Sequence, residues 1–557
     1  VGGVNILDGQ KKEWRRAYGK YGVDGLISTA FGQKSPNSVT QNNSHRQYLT
    51  GQLIAEYKGV FGKHDINVLG GWSAEENLYE DLQGKRTNIV GNELPALNLG
   101  DTDGWSNAAD ENEWALLSGF MRASYAFATK YLVEVNFRAD ASSRFSKKNR
   151  WGVFPSASVG WRITEEKFMQ NQHIFDNLKL RASWGQLGNQ NGLGLYDHIA
   201  SYNINGYYPF KSELGQWAVI SKLPSESRTW ETVEVKNIAV DMAFLRNRLT
   251  VTGEYFIKKN KDMLVSIEIP SIIGIDVPTG NYGELKVKGW EVTVGWQDKI
   301  KDFSYGARFN LSDQKDKLVD YGVEYNGFVA GVNQKVQGYS LGSIFGYRTD
   351  GYFTSEEEVK NSAAFNKAIT GVGDIKYIDK DGDGKISAPN DLEYLGTTTP
   401  RYTFGLNLTA AWKGFDLGVL LQGVGKRNFY LSSEVMNPYY ATWNNFSYKM
   451  HNDYWTPENP NAAFPRYYAG ANHNYQISDH WLQNAAYVRL KNLQLGYTIS
   501  PKLTRSWGIQ RLRVYFSGDN LCEYSKLNDN FDPELSDING YVYPIMRNFS
   551  FGINVTL

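Results

Sequence analysis

The sequence predicts an all-β fold, a transmembrane antiparallel β-barrel of about 15 strands with short turns at one end and long loops at the other. Three observations lead there. Apolar and polar residues alternate with period 2 through most of the chain, as strands with two unlike faces require. Short and long connections alternate strictly between those strands, the pattern of short periplasmic turns and long extracellular loops. Tyr, Trp and Gly are abundant, at 36, 16 and 55 of 557 residues, against only 16 Pro. That composition suits long strands joined by turns.

The bulk balance excludes several classes. Lys+Arg and Asp+Glu are both 59, so nothing in the net charge points to nucleic acid. No apolar run is long enough for a membrane-spanning helix. The single cysteine, Cys522, excludes an internal disulfide framework and reads as a packed or loop thiol. The seven histidines are dispersed, without HExxH, and no Ser/His/Asp order stands out, so no enzyme is expected.

In chain order, residues 1–43 open with VGGVNILDG, without Met, basic n-region or apolar h-region. The segment reads as an extracellular loop at the start of a mature or truncated chain. Strands are then expected to begin near residues 44, 64, 113, 131, 151, 177, 230, 249, 281, 303, 401, 415, 486, 511 and 546, so that 44–557 form the barrel portion. In YLVEVNFRAD, Tyr131, Val133, Val135 and Phe137 oppose Glu134, Asn136 and Arg138. FSYGARFNLS, TFGLNLTAAW and the closing NFSFGINVTL repeat the pattern. The tight turns are KGVFGK before His64, ATK before Tyr131, LRNR before Leu249 and KG before Phe415. The turn TEEKFMQN, with Glu165 and Glu166, reads as one short helical turn with solvated charges. The long extracellular loops are expected at about 78–112, 190–229, 266–280, 320–400, 431–485 and 522–545. Polar Glu134, Arg138, Arg181, Arg308 and Asn310 would line the lumen. Trp72, Trp161, Trp290 and Trp412 would face lipid as interface residues. An odd count, with first and last strands pointing the same way, cannot close an antiparallel barrel, so the chain reads as an incomplete one.

Two segments could bind something. DKDGDGKI resembles the first half of an EF-hand loop, whose ligands fall at positions 1, 3, 5, 7, 9 and 12. Here these are Asp379, Asp381, Asp383, the Lys385 carbonyl, Ser387 and Asn390, with Gly384 at the sharp turn. The twelfth position lacks the bidentate Glu, and LEYLGTTTP leads into a strand rather than a helix, so the loop is no sensor. A bound Ca²⁺ stiffening the loop and a metal-free Asp/Gly turn both stay open. MNPYYATWNNFSY is an aromatic extracellular loop, and Tyr439, Tyr440 and Trp443 are its candidates for cargo contact, since flat rings stack on sugars and apolar peptide groups. NINGYYPF is a second cluster, at 203–210. Packing among loops is the alternative for both. GQLGNQNGLG at 185–194 reads as an extracellular loop rather than a phosphate loop.

Several blocks also carry a family resemblance. GDIKYIDKDGDGKI, LGTTTPRYTFGLNLTAAWKGFDLGVLLQG, FPSASVGWRITEEKF, YVRLKNLQLGYTIS, RLRVYFSGDNL and RNFSFGINVTL resemble the C-terminal region of SusC/RagA-type TonB-dependent outer-membrane transporters. The resemblance runs in order from about His45 to Leu557. It implies the C-terminal part of a barrel of about 22 strands, with the plug domain and TonB box absent from this chain. It implies integral placement in the outer membrane of a Gram-negative bacterium. It further implies TonB-driven import of oligosaccharides or oligopeptides with a SusD-like lid lipoprotein as partner. The alternatives are a passive porin-like channel and, from another class, a soluble all-β glycan-binding protein.

Overall fold

The computed structural model describes residues 1–18, 36–91, 93–210, 213–266, 272, 279–322, 328–439, 449–535, 543 and 545–557. A 16-stranded sheet dominates it, in an order that follows the chain. Its strands are β1 (Gly2–Arg15), β2 (Ser38–Phe61), β3 (His64–Thr87), β4 (Ser106–Phe127), β5 (Tyr131–Ser142), β6 (Trp151–Arg162), β7 (Phe175–Asn189) and β8 (Glu231–Phe244). They continue with β9 (Leu249–Val265), β10 (Gly280–Ile300), β11 (Phe303–Tyr321), β12 (Arg401–Trp412), β13 (Phe415–Lys426), β14 (Tyr487–Thr498), β15 (Arg511–Ser525) and β16 (Asn548–Thr556). Each pairs antiparallel with its predecessor. The tight turns all lie at one end. At 413–414 the chain reverses through Gly414, whose φ of +93° suits glycine and whose Cβ would meet the Thr498 carbonyl oxygen at 2.7 Å.

Several expectations fail. The segment 1–43 is not loop throughout: Gly2–Arg15 is a strand in continuous register with β2, from Gly2↔Gly51 to Arg15↔Ser38. Its sequence carries little alternation, but backbone amides make the ladder whatever the side chains are. The count is therefore even, β1 and β16 run antiparallel, and the parity expectation falls with the count of 15. Among the described residues no ladder joins β1 to β16. The loop expected at 78–112 shrinks to 88–105, because β3 runs to Thr87 and β4 begins at Ser106. At 24 residues each, β2 and β3 exceed the roughly 10 that cross a bilayer. Their outer halves stand above the membrane as a polar ribbon, where no lipid imposes alternation. The remaining long connections run 190–230, 266–279, 322–400, 427–486 and 526–547. The first holds a hairpin, Ser201–Phe210 with Glu213–Lys222, and also contains the aromatic cluster NINGYYPF. Gly185 to Asn189, expected in a loop, completes β7 against β8.

The sheet is apolar on its outer face. Phe137, Val159, Ile238, Leu495 and Phe551 are all exposed there, as are Trp72 and Trp412. An apolar surface this extended marks contact with lipid. Among the described residues no helix is long and apolar enough to cross a membrane. The largest buried apolar cluster lies above the sheet, in the long connections.

Candidate functional site

The inner wall is built by parity. Residues alternate between the two faces, and many of the inward ones are polar and meet across or along strands. Ser124 and Asn136 donate to Glu134 at 2.9 and 3.1 Å. The Arg138 guanidinium donates through Nε to both Asp140 oxygens, at 2.8 and 2.9 Å, and through Nη2 to Ser118 Oγ at 3.0 Å. Arg181 joins Asp241 at 2.8 Å and Glu254 at 3.4 Å. Arg308 and Asn310, named with them from the sequence, share the face and are exposed on β11. The turn carboxylate Glu166 accepts from Tyr131 Oη at 2.5 Å and Trp161 Nε1 at 3.2 Å, so it is anchored rather than free.

Above the wall, the connections 328–400, 427–439, 449–486 and 526–535 pack into one canopy. Trp481, Val435, Leu392, Tyr347, Phe464 and Leu527 are buried at its centre. Distant segments are stitched by hydrogen bonds: Tyr347 N–H to the Ile477 carbonyl at 2.8 Å, and Ile375 N–H to Asn474 Oδ1 at 2.9 Å. The wholly buried Asp374 carboxylate accepts from Gly371 N–H, Tyr468 Oη, His473 Nε2 and Asn474 Nδ2 at 2.8 to 3.0 Å. Four donors offset the cost of burying its charge. Burial, then the Asp374 charge, pushes the Tyr468 hydroxyl up to about 12. Burial lowers His451 and His480, whose Nε2 atoms donate to the Val435 and Ala463 carbonyls at 2.8 and 3.1 Å. The helix α1 (Glu356–Asn361) is capped by Ser355, and the Thr354 amide followed by Lys376 holds Glu358 at about 2.

One strap ties the canopy down. The buried Arg489 guanidinium of β14 pairs with Glu523, with Asp532 at 2.8 Å and with Glu534 at 3.0 Å. Arg427 donates to the Pro533 carbonyl and, at 2.8 Å, to the Leu535 carbonyl. Neither the strap nor the canopy was legible in sequence, since both join residues from 34 to 131 positions apart, the largest being Arg348 to Asp479.

The acidic loop lies in the canopy. Carboxylate oxygens of Asp379, Asp381 and Asp383 all come within 4.8 Å of one another. Asn390 Nδ2 donates to Asp381 Oδ2 at 2.8 Å, which brings the twelfth position to the cluster. Asp379 accepts from the Gly382 and Gly384 amides at 2.7 and 2.8 Å, and the Gly384 bond leads in holding its carboxyl below the ordinary value. Lys385 N–H donates to Asp383 Oδ1 at 2.8 Å. Ser387 N–H donates not to the cluster but to the buried Asp391, at 2.7 Å. Asp391 also takes the Lys380 amide at 2.8 Å and so staples both ends of the loop. Three carboxylates and an amide form a donor set suited to a hard divalent cation. Of the aromatic candidates, Tyr439 is half-buried with its ring edge-on to Tyr467 at 5.3 Å. Tyr440 and Trp443 lie outside the described residues.

Comparison with known proteins follows this architecture. Residues 7–521 match the family described as TonB dependent receptor-like, beta-barrel. The chain is 30% identical over 530 residues to TonB-dependent receptor P26 of Formosa agariphila, covering 90% of this chain and 52% of that protein. It is 28% identical over 466 residues to TonB-dependent receptor SusC of Bacteroides thetaiotaomicron, covering 79% and 43%. The chain thus spans about half the length of the curated relatives it matches. The solved structure of the RagAB peptide transporter superposes with a TM-score of 0.83 at 23% identity, covering all of this chain and 59% of that one.

Proposed function

The chain belongs to the TonB-dependent receptor-like β-barrel family, an outer-membrane family of the SusC/RagA type, and from that premise we propose that it forms wall and canopy of an active importer. The cargo is an oligosaccharide or oligopeptide, and a SusD-like lipoprotein covers the extracellular mouth. One observation carries the reading: a polar inner wall lies beneath a canopy with its own buried core, a construction for holding cargo at a mouth rather than for leaving a pore open. The exposed outer face disfavours the soluble glycan-binding alternative. The exposed hairpin Ser201–Phe210/Glu213–Lys222 offers the lid a contact, and Tyr439 offers the cargo one.

The test is uptake of fluorescent oligosaccharide and oligopeptide pools by cells with and without the gene, before and after the proton-motive force is collapsed. Importer action predicts that gene-dependent uptake of one pool ends on collapse. Gene-dependent uptake that continues afterwards would identify a porin-like channel.

In the same reading, Asp379, Asp381, Asp383 and Asn390 hold Ca²⁺, the Asn390 amide turning its oxygen inward. Lys385 and Ser387 contribute the loop backbone between them. The ion would stiffen the loop by neutralising three neighbouring charges. Trypsin can cleave at Lys380 and Lys385 inside it. We expect cleavage there to slow several-fold in Ca²⁺ over chelator, and this protection to vanish in Asp381→Asn. Equal cleavage in Ca²⁺ and chelator would reject the ion.

A further inference from the structure

Beneath the canopy, where β11 and β12 leave the membrane, lies a cavity of about 460 Å³. That is room for one sugar ring or a short peptide end, within the usual range for ligand sites of about 300–1,000 Å³. Its charge is one-sided. Lys315, Arg348, Arg401, Lys426 and Arg427 line it, against the single carboxylate of Asp316. Two of the cations are engaged elsewhere: Arg348 with Glu393 and Asp479, and Arg401 with Asp313. The other three make no ion pair among the described residues, although the Asp532 and Glu534 carboxylates lie near enough to act on Arg427. Lys315 and Lys426 are exposed with no ion pair, and Arg427 spends two of its five N–H donors on the Pro533 and Leu535 carbonyls. Asp316 is occupied by Ser340 Oγ and the Leu341 amide. Elsewhere on the wall Arg138, Arg181 and Arg513 each sit against a carboxylate, whereas here five cations surround one.

We propose that this cavity is a subsite for an oxyanion, a carboxylate or sulfate borne by the cargo, held by Lys315, Lys426 and Arg427 with hydroxyls of Thr397 and Thr399 at its margin. Opposite charge in a partly enclosed polar recess favours such a group over a neutral one, and the preference weakens as salt screens it. Calling the ligand cargo rests on the import reading; the site itself does not.

The test is calorimetric titration of the full-length protein, purified from outer membrane in detergent, at low and high salt. The probes are D-glucuronate, D-galactose 6-sulfate, triglutamate and neutral D-glucose. Lys315→Gln with Lys426→Gln is the variant, because neither lysine holds any other group in place. Binding of an anionic probe but not of glucose, weakened about tenfold or more in the double variant and by salt, supports the subsite. Sugar anions binding without triglutamate assign it to acidic glycans, and the reverse assigns it to acidic peptides. Absence of anion binding, equal binding of glucose, or an unaffected double variant overturns it. Anion binding in a protein whose gene supports no uptake would keep the subsite and discard the import reading.

Discussion

Arg489→Ala is expected to free the strap 526–535 from the canopy. The guanidinium is buried and satisfies Glu523, Asp532 and Glu534 together. Removing one partner of a buried pair costs about 3–5 kcal/mol, because the other charge stays uncompensated. Here three carboxylates would keep, among the described residues, the Lys491 ion pair at 2.7 Å from Glu534 and the nearby charge of Arg427. The strap can escape that repulsion by leaving, since its apolar anchors in the core among the described residues are Leu527 and Phe531. Limited proteolysis of purified protein should show cleavage between 526 and 535 appearing at least tenfold faster. Gel mobility before and after boiling should show the barrel still folded, because backbone ladders hold it. Unchanged proteolysis would mean that Arg427 alone holds the strap.

Trp481→Ala should loosen the whole canopy. The indole is almost wholly buried among Phe464, Tyr475 and His480, with ring centroids at 5.6, 5.6 and 4.7 Å, and its Nε1 donates to the Asn474 carbonyl at 3.1 Å. Truncating a buried Trp costs about 3–5 kcal/mol in lost burial and cavity. The segments it joins, 328–400 and 449–486, lie above the sheet, away from its apolar outer face, and have no lipid to replace that packing. Hydrogen exchange should quicken across Ile375–Tyr377 and Leu482–Asn484 while β2 to β11 stay protected. Exchange confined to residues 479–483 would show that the canopy does not share one core.

What could be read in advance follows from periodicity. Val133, Val135 and Phe137 alternate with Glu134, Asn136 and Arg138 because lipid lies on one side of β5 and water on the other, so sequence spacing alone yields strand, face and inward residue. The same reasoning placed Arg181, Arg308 and Asn310 on the inner wall. It failed for β1 and for the outer halves of β3 and β4, which meet water on both faces and carry no alternation to read. The acidic loop was legible because Asp379, Asp381, Asp383 and Asn390 are local in sequence and converge through a short run of backbone turns.

The sequence by itself therefore determined the barrel class, the direction of its faces, the end that bears the loops and the convergence of the acidic loop. Only the tertiary structure decided the first strand, Gly2–Arg15, the canopy core around Trp481, the Arg489 strap and the cationic cavity. Each of these joins residues remote along the chain, or depends on backbone pairing that is indifferent to side-chain type, and neither leaves a period in the sequence.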